Sequence, residues 1–235
     1  MSNGELIKVL SIVVIVLALA YVRTAFPGPH MTATTGSFAF LATTPSARPV
    51  TFDPCQPIHY VVNPTGMPNG GMELIRDGIR TISAATGLTF IADGFTYERP
   101  NPRNRPLVQP QRYGEGWAPV LIAWVNQRES PLVRGDIVGA AHSELIAQDG
   151  PESARYVTGQ IVFDREDFAA VLPGDDGYVE ARAVVIHELG HLVGLDHVDD
   201  PGELMARDNM GQLELGPGDR QGLSEAGKGP CWPAT

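Results

Sequence analysis

His187-Glu188-Leu189-Gly190-His191-Leu192-Val193-Gly194-Leu195-Asp196-His197 is the stretch of this chain best equipped for chemistry. On a helix, His187 and His191 lie one turn apart, so both imidazoles leave the same face and can share one metal ion. Gly194, with no Cβ, lets the backbone turn out of the helix and carry His197 back toward the same point. Three neutral imidazoles leave one position of a tetrahedral zinc open to water, which marks a catalytic rather than a structural site. Glu188 lies about 100° round the helix from His187 and so flanks the metal without binding it. That is the place for a general base, which takes a proton from water as the water attacks a carbonyl. The competing reading is a buried amphipathic helix with histidines at helical spacing. It requires three His, one Glu and one Gly to fall at fixed offsets by chance.

The pattern resembles HExxHxxGxxH of the metzincin zinc peptidases, and "HELGHLVGLDH" is most similar to the matrixin branch. The resemblance implies one catalytic zinc on His187, His191 and His197, with Glu188 as the base and a peptide or protein as substrate. It also implies a methionine packed under the metal a few residues past the third histidine. Asp200-Pro201 and Leu204-Met205 follow His197, which makes Met205 the Met-turn residue, ahead of Met210. The fold it implies is α+β, with a mixed five-stranded twisted sheet, two long helices and a short C-terminal helix. Matrixins use a histidine at the place of His142 for a structural zinc, but Val162 stands where its partner histidine would be, so His142 reads as an edge-strand surface residue. Asp164, Glu166 and Asp167 either hold calcium, as loops of the family do, or are solvated. One departure is plain: Ala206-Arg207 replace the Tyr-Pro that commonly walls the primed-side pocket. Residues 24–54 contain no cysteine, so the propeptide cysteine that blocks zinc in many animal matrixins has no counterpart there.

Three further elements must position such a site. The apolar run at residues 9–22 reads as either an N-terminal membrane anchor or the core of a signal peptide with a small-x-small cleavage site near Ala20. Either way residues 1–23 imply export, to the cell membrane with the catalytic domain outside or into the medium. Residues 24–54, rich in Thr, Ser, Ala and Pro, read as an extended stalk. The catalytic domain then occupies 55–235. Within it, strands are expected at 58–63, 88–92, 120–125, 137–145 and 156–163. Helices are expected at 72–86, from Asp175 or Asp176 through the motif, and at 217–226. Residues 98–116 hold four prolines and four arginines and read as a surface loop with a solvated charged face. Cys55 and Cys231 bracket the domain, and in an exported chain they pair most simply with each other.

The whole is one globular domain with appendages, expected to be a monomer. With 17 basic against 27 acidic residues, a net charge of −10, it is unsuited to nucleic acid or to an anionic membrane surface. Two other functions fit the same motif: a catalytically silent zinc-binding module for cell-surface interaction, and a hydrolase of cell-wall peptides. Glu188 argues against the first, since an adhesive site needs no base beside an open metal.

Overall fold

The computed structural model describes residues 37–207 and 211–232. The apolar run at 9–22, the cleavage site near Ala20 and Met210 lie outside the described residues. Among those described, no helix is long and apolar enough to cross a membrane. The elements are β1 (Ala39–Phe40), β2 (Ile58–Asn63), α1 (Gly71–Thr86), β3 (Phe90–Phe95), α2 (Pro110–Tyr113), β4 (Val120–Val125), β5 (Gly139–Ile146), β6 (Arg155–Asp164), α3 (Arg165–Val171), α4 (Gly177–Leu192), β7 (Leu195–Asp196) and α5 (Pro217–Ala226).

Five strands form one mixed sheet in the order β3-β2-β4-β6-β5, with β5 the antiparallel edge strand and the other pairs parallel. This is the α+β architecture with two long helices that the sequence implies. β4 is buried along its whole length, as the unbroken apolar run Val120-Leu121-Ile122-Ala123-Trp124-Val125 requires of a central strand covered on both faces. α1 buries Leu74, Ile75 and Ile82 and stops at Gly87, whose φ of 78° is the left-handed end of a helix. α4 crosses it closely at Gly78, where a Cβ would stand 2.6 Å from Val185 Cγ1 and 2.9 Å from Leu189 Cδ1. Between α1, β5 and the sheet face, α4 is buried almost all round from Ala181 onward, so the histidines of the motif sit in the core rather than on a surface stripe.

Two expectations need correction. The chain from Ser37 to Pro54 is not an extended stalk: Val50 and Phe52 are core residues, and β1 pairs antiparallel with β7, with Leu41 N–H donating to Gly194 O at 2.9 Å. The compositional cue misled because small residues with few charges suit a strap laid against a domain as well as a free linker. The domain therefore includes residue 37, not only 55 onward.

The loop after β3 exposes Arg99, Arg103 and Arg112 as a surface loop should, but Arg105 is no part of a solvated charged face. Arg105, 2% exposed, donates in a bidentate pair to Glu98, with both contacts 2.9 Å, and also to Thr158 Oγ1, Gly159 O and Pro119 O. Burial raises the Glu98 carboxyl, but hydrogen bonds from Arg105 and Gln109 outweigh it and hold the group below its usual value. A buried charge persists only when its donors are so satisfied. The loop thereby closes the second face of the sheet, where Tyr113 packs on Val61, Leu121 and Ala123.

Candidate metal centre

Each histidine of the triad reaches the centre from a different constraint. His187 and His191 sit on α4 and are 4% and 6% exposed. Gly194, at φ 110°, ends the helix and turns the chain into β7, which delivers His197. The three Nε2 atoms then stand 3.1 Å from one another. His187 Nδ1 donates to Leu204 O at 2.9 Å, and His191 Nδ1 to Leu195 O at 2.8 Å. Those bonds put the ring proton on Nδ1 and leave the Nε2 lone pairs facing inward. The converging lone pairs of His187 and His191 repel one another, and a cation held between them and His197 resolves the repulsion. Tetrahedral zinc with Zn–N of 2.0–2.1 Å sets its nitrogens roughly 3.3 Å apart, close to the spacing here. Burial, with the neighbouring His191 imidazole, lowers the His187 pKa to about 3; burial alone lowers that of His191 to about 4. The rings are thus neutral and ready as ligands at ordinary pH.

Among the described residues, two clusters bring three potential ligand atoms together: His187, His191 and His197, and Asp53 with Cys55 and Cys231. The two cysteines of the second cluster are joined as a disulfide with Cα atoms 5.4 Å apart, as expected from their placement. Asp164, Glu166 and Asp167 form no such cluster. Asp164 caps α3 by accepting the Glu166 N–H at 2.8 Å, and burial together with the carboxylates of Asp164, Asp136 and Glu166 pushes Asp167 up to about 6. His142 lies on β5 within 3.3 Å of Glu144 and joins no ligand group.

Glu188 is buried beside the triad. It accepts the backbone N–H of Ala141 on β5, its Oε2 has no hydrogen-bond partner, and burial pushes its carboxyl up to about 8. The close approach depends on Gly139, a residue that the sequence reading passed over. A Cβ there would lie 2.8 Å from Glu188 Cγ and 3.0 Å from Oε1. Gly139→Ala should therefore displace the Glu188 side chain and lower turnover while thermal midpoint and zinc content stay near wild type. Equal turnover in purified protein would show that Glu188 tolerates the shift.

Met205, 1% exposed, lies under the helix, where a Cβ on Gly190 would meet its sulfur at 2.8 Å. It packs as a floor beneath the helix that carries His187 and His191. The turn is held by two carboxylates that local pattern could not reveal. Asp219 on α5 accepts the N–H groups of Leu204, Met205 and Gly216, while Glu203 accepts those of Gly218 and Asp219 at the start of α5. An acidic residue in the first turn of a helix was the only available signal, and it points to capping rather than to a distant turn. Asp219→Ala strands three buried donors at about 1–3 kcal/mol each before relaxation. We expect a stability loss of at least about 2 kcal/mol by denaturant titration, together with weaker zinc binding, because Leu204 O orients His187.

A helix carrying two histidines, a glycine turn to a third and a methionine floor beneath a mixed sheet define a metzincin-type zinc site. Residues 120–226 match the family model described as matrixin, so this part of the chain, with its three clustered histidines, is similar to that family of zinc metallopeptidases. No curated protein matches the chain.

Proposed function

We propose that the chain is an endopeptidase that hydrolyses peptide bonds with Glu188 as its general base. The observation that carries this reading is the buried carboxylate beside the triad with one oxygen, Oε2, unpartnered. Zinc held by the three Nε2 atoms would supply a Lewis acid and lower the pKa of a bound water to about 7. Glu188 accepts the proton of the attacking water on Oε2 and returns it to the leaving amine, while Ala141 N–H holds the other side of the carboxylate in place. β5, paired with β6 on one side only, offers its outer edge to an extended substrate backbone.

The proposal extends to an exported protein, tethered by residues 9–22 or released by cleavage near Ala20. The disulfide supports an oxidising compartment. Fractionation of producing cells tests it, with recovery in the reduced cytosol as the contrary result. For activity, the zinc-loaded chain is incubated with a diverse peptide mixture and new termini are read by mass spectrometry. Internal cleavage that a chelator abolishes is the expected result. A protein holding one zinc and cutting nothing would instead be a silent binding module, and cuts confined to cell-wall peptides would make it a cell-wall hydrolase.

A further inference from the structure

The edge strand β5 carries different chemistry on its two faces. Its pairing with β6 runs one to one from Gly139 opposite Phe163 to Glu144 opposite Thr158, so side chains alternate without interruption along that stretch. Ser143 points toward α4, where its hydroxyl donates to Leu192 O at 2.5 Å, and a Cβ on Gly139 would point the same way, into Glu188. Ala140, His142 and Glu144 therefore face the other side. Ala140 packs there with Val125, Val133 and Val162, and the side chains of His142 and Glu144 meet at 3.3 Å while staying 37% and 29% exposed. Backbone groups alternate as well. Asp164 N–H donates to Val138 O at 2.7 Å, which turns the groups of Ala140, His142 and Glu144 toward β6 and those of Gly139, Ala141 and Ser143 toward the outer edge. A strand laid on that edge would place side chains opposite His142 and Glu144 on their own face, within cross-strand reach. No fixed cation answers the carboxylate there. Arg105, which donates to Thr158 directly opposite Glu144, directs its other N–H groups to Glu98, Gly159 O and Pro119 O, and among the described residues no lysine or arginine pairs with Glu144. Glu188 sits against Gly139 and Ala141, and Glu144 lies three positions past Ala141, about 10 Å along the strand.

We propose that Glu144 is a specificity-determining residue, selecting substrates with a lysine or arginine side chain at one position within four residues of the scissile bond. This rests on the peptidase reading above and on an extended substrate paired with β5. The carboxylate is partly open to water, so its contact with a substrate cation has the strength of a cross-strand charge pair and is screened by salt. The net charge of −10 attracts basic peptides from a distance whatever the position of their cations, whereas a preference for one position in the bound strand requires a fixed carboxylate.

The test uses the full zinc-loaded chain and its Glu144→Gln and Glu144→Arg variants, each first shown to hold one zinc and no free thiol. With a peptide mixture read by mass spectrometry, wild type should cut at sites enriched in Lys or Arg at one position within four residues of the bond. Glu144→Gln should lose that enrichment, and Glu144→Arg should replace it with Asp or Glu at the same position. Identical profiles in all three would overturn the proposal, as would a basic preference spread over every position, which is the mark of overall charge. Binding is measured beside it with zinc-chelating peptide hydroxamates, made with the chelator at either end and with lysine or acetyllysine at the second, third or fourth residue from it. The lysine compound that wild type holds best should weaken about threefold in Glu144→Gln, and the difference should disappear in about 1 M salt. A loss equal for lysine and acetyllysine, or one that persists in high salt, marks a merely structural role and overturns the proposal. Equal affinities in wild type and variant overturn it even if no peptide is cut. Absence of cutting with the binding difference intact sinks the peptidase reading alone.

Discussion

Glu188→Gln should leave zinc stoichiometry near one and reduce peptide hydrolysis by about 10²–10⁴-fold, the usual contribution of a general base. The substitution is close to isosteric. Its amide oxygen can still accept the Ala141 N–H, and the cavity beside Gly139 stays filled. What it cannot do is take a proton at the position of the unpartnered Oε2. The metal-free protein should barely change in stability at pH 7, because burial pushes the Glu188 carboxyl up to about 8 and a neutral acid is being exchanged for a neutral amide. Zinc content is measured by metal analysis and turnover on a peptide found cleaved by wild type. Wild-type turnover would remove Glu188 from the mechanism, and loss of zinc would make it a ligand.

The second large effect is on stability. Opening the Cys55–Cys231 disulfide, by reduction or by replacing both residues with serine, should cost up to about 5 kcal/mol, because the chain-entropy model rewards constraining so long a loop in the unfolded state; the residues are 176 apart in sequence. The folded ends should stay close even without it. Asp53 accepts the N–H of Cys55 at 2.8 Å and that of Trp232 at 3.1 Å, and Arg155 stacks over the Trp232 ring at 4.6 Å. The effect therefore falls mainly on the unfolded chain, and the reduced protein should keep its zinc site under native conditions while its denaturation midpoint drops. Thiol titration accompanies the measurement. Two thiols released with no change in midpoint would contradict the expectation.

The metal-binding constellation was legible because its parts are local. His187, Glu188 and His191 are related by the helix period, and Gly194 announces the turn that returns His197, so spacing alone predicted the cluster. The five strands and the two long helices were legible for the same reason, since an unbroken apolar run such as β4 and a helix stopped by Gly87 write their surroundings into neighbouring positions. Met205 was readable only through a family resemblance, and the structure buries it against Gly190.

Other features depend on residues far apart in sequence. Arg105 appears as one more charge in a proline-rich loop until Glu98, Thr158 and Pro119 are brought around it. Residues 37–41 look like linker until β7, more than a hundred positions on, supplies the strand they pair with. Gly139 is unremarked until Glu188 arrives 2.8 Å from where its Cβ would be, and Asp219 reads as a helix cap until the Met-turn offers it two more donors. Local spacing was enough to pick out the candidate ligands, the candidate base and the elements that carry them, because hydrogen-bonded periodicity relates residues within a turn or two. Only the folded chain shows which backbone groups hold those ligands, which glycine makes room for the base and which strand pairs with β7. Buried polar groups must find partners wherever packing brings them, and no periodicity links such partners along the chain.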